Sequence, residues 1–264
     1  MKAVWVHQTS RVTELCTVQA RMQTDGDFAG RPFLYSLDML SEGSKNITFA
    51  TYTPAWKLHR KIALQAVRHY MRGLHLKTVV HEAVSMIADK MAAEPGAFDP
   101  HFYNTALMFH IIDTICFGES KPFDDPDIQK NMAIFDAFNA ELGNGFLEDV
   151  IPLLKYWPTN KFRRAEVMLR DLLEYFNKKI DEHRETFSPD HIRDLTDSIL
   201  LAQSEAEREE SAEVMAMFTN THVGETIRDI FSAGVDTSRL TLDWAVLFMA
   251  GHPEVKKIKQ KRTV

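Results

Sequence analysis

Three times along the chain a capping residue stands directly before a proline at the head of an apolar-periodic stretch: Thr53-Pro54, Asp99-Pro100 and Asp125-Pro126. A short polar side chain at such a place accepts a hydrogen bond from a free N–H of the first helical turn. Proline at the next position lacks the N–H that would otherwise go unpaired. The stops are equally plain. The first stretch ends at about Met71, before Gly73. A second, in which Leu76, Val79, Val80, Ala83, Val84, Ile87 and Met91 recur at helical spacing, ends at Glu94-Pro95-Gly96. A third carries Ala106, Phe109, Ile112 and Ile115 and ends at Gly118.

The same period predicts helices from Asp125-Pro126 to Glu141, from Lys161 to Phe187, from Asp190 to Gln203 and from Asn220 to Ala250. Gly143 and Gly145 break the chain after the first of these, and Pro152 interrupts the apolar run from Phe146 to Trp157. The acidic stretch from Ser204 to Glu213 reads as a solvated linker. Near the N-terminus, Ala3 to Val6 reads as a short strand, Val12 to Met22 as a short helix, and the chain through Ser41-Glu42-Gly43-Ser44 as loop. Pro253 would open one last helix that the chain barely enters. Eight or nine helices, almost no strand and short loops predict a mainly α fold, one unit over residues 1–264.

Composition narrows the function classes. Hydrophobic residues make up 45% of the 264, enough for a substantial core. A net charge of −6 gives no reason to expect nucleic acid as a partner. Cys16 and Cys116 lie far apart and in no paired motif, which argues against a disulfide framework and a zinc site. No apolar run approaches the ~20 residues that span a bilayer. The N-terminus has no signal-peptide core, so the chain as written is expected to carry no membrane anchor and to be cytoplasmic.

The stretch from Ile230 to Ala250 combines a long apolar helix with one polar turn, Ala233-Gly234-Val235-Asp236-Thr237-Ser238. Glycine inside a helix costs about 1 kcal/mol relative to alanine. An acid on so apolar a helix needs a partner. The Thr237 hydroxyl is placed to bond back to the Ala233 carbonyl and loosen the helix. Two explanations stay open on these residues: a ligand pressed against the backbone, or a core helix with one chance polar turn. Upstream, Trp56 and Arg60 share a helix face, being four apart. Lys57, Lys61, Arg68 and Arg72 form a neighbouring basic stripe of about 60°, which is either a solvated face or a docking surface.

The hexapeptide 233–238 resembles the distal-helix signature of the cytochromes P-450, the heme-thiolate monooxygenases. Trp56-Lys57-Leu58-His59-Arg60-Lys61 resembles the family's tryptophan-xxx-arginine signature. Phe28-Ala29-Gly30-Arg31-Pro32, His191 to Ser198 and Gly251 to Val255 are also similar to it, within the animal microsomal subgroup of steroid 17-alpha-hydroxylase/17,20-lyases and aryl-hydrocarbon-oxidising enzymes. Glu148 to Pro158 leans toward the steroid side. The resemblance implies heme as cofactor, a hydrophobic small-molecule substrate and an NADPH-dependent reductase docking on the basic stripe. It also implies an endoplasmic reticulum membrane location for the full-length family. Asp236 and Thr237 would relay protons, Trp56 and Arg60 would hold a heme propionate, and Ala233 and Gly234 would face heme and oxygen. Ile47, Phe49, Asn139, Glu141 and Ala233 would meet substrate.

The family's glutamate–arginine helix and cysteine loop have no counterpart in these 264 residues. The expectation is therefore a truncated cytochrome P-450 fold, with the N-terminal to distal-helix portion present and the heme seat absent. Neither Cys16 nor Cys116 is assigned as the iron ligand. Alone, the chain is expected to be inactive and to expose an apolar patch. Its function would be that of a monooxygenase of which this is a part, or of a catalytically inactive helical product that binds substrate or reductase.

Overall fold

The computed structural model describes residues 30–71, 75–118 and 121–252. The expectations for Ala3 to Val6, Val12 to Met22, Arg72 and the helix at Pro253 lie outside those residues. Nine α-helical segments occur among the described residues: α1 Tyr35–Leu40, α2 Pro54–Met71, α3 His75–Ala93, α4 Pro100–Phe117, α5 Pro126–Leu142, α6 Asn160–Thr186, α7 Leu195–Glu209, α8 Ala212–Met215 and α9 Asn220–Gly251. Two 3₁₀ turns, Leu147–Asp149 and Pro152–Lys155, join α5 to α6. No strand is found among the described residues.

The caps work as the sequence predicts. The Asp99 carboxylate accepts from the His101 N–H at 2.9 Å, and Asp125 accepts from Asp127 at 2.8 Å. The Thr53 hydroxyl accepts from Trp56 N–H at 3.1 Å. Gly118 ends α4 at φ +68°, a left-handed conformation that glycine adopts without strain.

Two expectations are corrected. The stretch from Ser204 is not a linker, because α7 continues to Glu209 and α8 follows it. Ala202 and Ala206 are buried. Gln65 reaches Glu205 and Lys61 reaches Glu210 from α2, both at 2.9 Å, so the acidic face is paired to a neighbouring helix. Likewise the loop-like segment before Ser41 contains α1. That helix lacks a side-chain cap. Its stability comes from the far chain: Asp149 accepts from the Ser36 N–H and hydroxyl at 2.8 and 2.6 Å, and Tyr35 stacks on Phe162.

The core is aromatic. Phe231 of α9 meets Phe109 of α4 and Phe176 of α6 edge-on, with centroids 5.0 and 4.9 Å apart, and Phe135 of α5 at 5.9 Å. Burying such rings is the main favourable term in holding four helices together. Two buried ion pairs link α6 to its neighbours. Lys179 donates to both oxygens of Asp113 at 3.1 and 3.0 Å, and His183 meets Asp194 at 2.8 Å.

Candidate active site

Helix α9 organises the site. Its first half is buried at Val223, Ile227, Phe231 and Val235, spaced 4, 4 and 4. The polar residues Glu225, Arg228 and Asp229 are therefore carried inward alongside them, where each needs a partner. Arg228 donates to Glu42 at 2.6 Å, Asn177 at 3.0 Å and Glu225 at 2.5 Å. Burial pushes Glu225 up to about 7 against the opposing pull of Arg228. Asp229 is also raised by burial, and it accepts from Ile47 N–H (2.7 Å), Thr48 N–H (3.2 Å) and the Asn46 amide (3.2 Å).

A cavity of about 240 Å³ opens beside this half of α9. Phe135 and Phe138 of α5, Leu172 and Phe176 of α6, and Phe49 form its apolar walls, and Asp229, Arg228 and Asn46 close one polar end. Asn139 and Ala233 also line it, so the structure brings together three of the residues expected to meet substrate: Phe49, Asn139 and Ala233. The Asn139 amide nitrogen is buried without a hydrogen-bond partner. Ile47 and Glu141 are not among the lining residues. Two positions beyond Asn139 on a helix is a rotation of about 200°, so Glu141 points elsewhere, and it pairs with Arg164 of α6 at 2.8 Å. Ile47 instead offers its backbone to Asp229 and Trp56.

The second half of α9 presents an open face. Ala233 and Thr237 are exposed, and Leu240, Trp244, Leu247 and Phe248 continue the same stripe at 42, 59, 60 and 62% exposure. The Thr237 hydroxyl donates to the Ala233 carbonyl at 2.7 Å, yet α9 is unbroken from Asn220 to Gly251. Gly234 turns the other way. A Cβ built on it would lie 2.8 Å from Ile112 Cδ1. The glycine therefore has a packing reason, a close crossing of α9 over α4.

Asp236 finds the partner its helix demands. Arg239, one turn on and buried, donates to it at 2.6 Å. Arg239 also lies 3.4 Å from Asp136 of α5 and 3.1 Å from the His101 ring of α4. His101 bridges Asp243 at 2.9 Å and Asp136 at 3.4 Å. Burial lowers its pKa, but the two carboxylates raise it more, and the net shift is upward. Nothing in the pattern of α9 singled out Arg239. The signal available was an arginine three residues after an acid on an apolar helix.

On α2, the Trp56 indole N–H donates to the Ile47 carbonyl at 2.9 Å. Arg60 is exposed, lies over the Trp56 ring at 5.4 Å, and makes no hydrogen bond among the described residues. Of this pair, the guanidinium is the donor available to a carboxylate. Lys57 and Arg68 are exposed, while Lys61 is paired to Glu210 and Glu209.

These elements set a largely apolar cavity on one side of a long helix and an open apolar face further along it. The family follows from the comparisons: residues 5–261 match the sequence profile of the cytochrome P450 family, and the chain belongs to that family. It is 31% identical over 232 residues to steroid 17-alpha-hydroxylase/17,20 lyase of Squalus acanthias, covering 87% of this chain and 46% of that protein. It is 31% identical over 252 residues to cytochrome P450 1A1 of Chelon auratus, covering 90% of this chain and 48% of that protein. Among solved structures, a zebra fish cytochrome P450 with progesterone superposes with a TM-score of 0.78 at 26% identity, over 92% of this chain and 54% of that one. The chain thus spans about half the length of the curated relatives it matches.

Family membership brings heme with it, and the described residues fit one side of that group. A flat apolar macrocycle matches the exposed stripe of α9, in which Thr237 is the polar exception, and Arg60 suits a propionate. The other side is different. Cys116 is fully buried and burial holds its thiol protonated, so it is no thiolate ligand. Cys16 lies outside the described residues.

Proposed function

We propose that this chain is the substrate-side portion of a heme-dependent monooxygenase that hydroxylates a hydrophobic, steroid-like molecule. The observation that carries this is the juxtaposition on α9 of the cavity lined by Phe49, Asn139 and Ala233 with the exposed stripe that begins at Ala233 and Thr237. Substrate in the cavity and heme on the stripe would meet at Ala233. The likeness to steroid 17-alpha-hydroxylase/17,20 lyases supports a steroid-like skeleton, and the aromatic walls suit one.

Heme, when bound, supplies the oxygen-inserting chemistry. The residues of this chain do the rest. The cavity walls exclude water from the reacting carbon. Thr237 spends its proton on the Ala233 carbonyl. Its hydroxyl oxygen is then available to accept a proton-bearing partner at the heme face. Asp236, held in place by Arg239 at 2.6 Å, would be the adjacent relay group. Arg60 anchors a propionate, and Lys57 and Arg68 offer charge to an NADPH-dependent reductase, which in the full-length family works at the endoplasmic reticulum membrane. No described helix is long and apolar enough to cross a membrane.

A second reading for this chain by itself is a helical product that binds substrate or reductase without heme chemistry, since Cys116, the cysteine among the described residues, is buried in the core. Titrating hemin into the purified chain separates the two. Hemin uptake that is lost when Trp244 on the α9 stripe is replaced by lysine supports the first reading. Progesterone binding without hemin uptake supports the second reading, and binding of neither overturns both.

A further inference from the structure

The segment 46–49 forms one wall of the cavity through Asn46, Thr48 and Phe49, yet it has no secondary structure to hold it. It is held from two directions. On the α9 side, the Asp229 carboxylate takes the Ile47 N–H at 2.7 Å, the Thr48 N–H at 3.2 Å and the Asn46 amide at 3.2 Å. On the α2 side, the Trp56 indole donates to the Ile47 carbonyl at 2.9 Å. The peptide groups on both sides of Ile47 are thus engaged by different helices. Within the segment, Asn46 Oδ1 accepts the Phe49 N–H at 3.0 Å, which closes a turn and aims Phe49.

Such an arrangement makes a stiff wall out of a short irregular segment. A carboxylate accepting backbone N–H bonds in a partly buried place is held more strongly than a neutral acceptor would be. A wall fixed to within a fraction of an ångström discriminates between ligands by shape, whereas a loose one adapts to each. We infer that Asp229 and Trp56 are positioning residues that clamp the wall 46–49 and thereby set which hydrophobic ligands the cavity admits. That role rests on the reading of this cavity as the substrate site.

Two measurements on the 264-residue chain test it. Amide hydrogen exchange comes first and needs no ligand. Asp229→Asn is expected to speed exchange at Ile47 and Thr48 by at least about tenfold, while the amides of α4 and α6 keep their protection. Trp56→Phe keeps an aromatic ring and loses only the donor, and it should loosen the same segment by a second route. The affinities of progesterone and of pyrene, a flat fluorescent hydrocarbon, come next. Their ratio is expected to change by about tenfold in either variant, since a mobile wall accommodates both shapes.

Unchanged exchange at Ile47 and Thr48 in both variants overturns the clamp. Faster exchange with an unchanged affinity ratio overturns its role in selectivity. Should Asp229→Asn unfold the chain, seen as loss of protection in α4 and α6, the Trp56→Phe result decides alone. A wild-type chain that binds neither ligand overturns the substrate reading of the cavity and the selectivity role with it, while the exchange data still decide the clamp.

Discussion

At position 234 a single methyl group weighs two opposing effects. Alanine would recover about 1 kcal/mol of helix propensity. Its Cβ would also come within 2.8 Å of Ile112 Cδ1 and 3.2 Å of Ile112 Cγ1. Overpacking of this kind costs about 1–3 kcal/mol. Gly234→Ala is therefore expected to lose about 1 kcal/mol of stability in urea, and adding Ile112→Val, which removes the offending Cδ1, should restore it. An alanine variant that is more stable than wild type would show that α4 and α9 have slack at their crossing.

Two buried groups give stability opposite pH dependences. Glu225 rises to about 7 from an ordinary 4.5, so the folded chain binds the extra proton between those values. Its contribution is present below pH 4.5 and is lost as pH rises through 7. His59 is lowered to about 3 from 6.5 by burial and by His222. Its contribution is present above pH 6.5 and is lost as pH falls through 3. Urea midpoints taken from pH 4 to 8 should show Glu225→Gln reducing the loss on the alkaline side of about pH 5, and His59→Gln reducing the loss below about pH 6. Identical profiles for wild type and variants would deny these burials any weight.

At the scale of elements, the junction of α6 and α7 concentrates several tasks in one side chain. Asp194 caps α7 by accepting from the Asp197 N–H at 2.9 Å, and it meets His183 of α6 at 2.8 Å. The Gly118 turn packs against it, since a Cβ there would lie 3.1 Å from Asp194 Oδ2. Removing one partner of a buried pair costs about 3 kcal/mol or more. Asp194→Ala is expected to lose roughly that much, and Asp194→Asn distinctly less, because asparagine keeps the cap. Equal losses in thermal unfolding would mean that the charge, and not the cap, matters. The sequence pattern placed Asp194 inside a helix starting at Asp190, whereas α7 starts at Leu195 and Asp194 is its N-cap. The His183 contact, eleven residues back across a turn, has no periodic signal.

The helices themselves were largely readable. The start of α2 at Pro54, of α4 at Pro100 and of α5 at Pro126 follow from local capping chemistry. What misled was the assumption that acidic stretches are solvated. Helix α7 runs through Glu205 and Glu209 because its alanines pack inward and its acids find Gln65 and Lys61.

For the molecule as a whole, the second half of α9 presents an open apolar stripe. Leu240, Trp244, Leu247 and Phe248 remain well exposed in a chain that spans about half the length of its relatives. Contiguous apolar surface of this sort marks a contact site. Trp244→Lys with Phe248→Glu should leave the urea midpoint within the ~0.5 kcal/mol typical of surface changes, while lowering the binding of an apolar fluorescent dye. The same pair should weaken hemin uptake if the stripe carries heme. Unaltered dye binding would place the apolar surface elsewhere, for example on the exposed Leu153, Tyr156 and Trp157.

The amino-acid sequence by itself determined the helical class, most helix boundaries and the family pattern around Trp56 and Asp236. Caps, prolines, glycines and 3.6-residue periods act over about four residues and are written locally. Tertiary structure alone decided that Phe49, Asn139 and Ala233 share a cavity while Ile47 and Glu141 do not, that Gly234 answers to Ile112, and that Asp229 holds a segment 182 residues earlier in the chain. Contacts at such separations depend on how the helices cross, which is set by the whole core and not by any one stretch of residues.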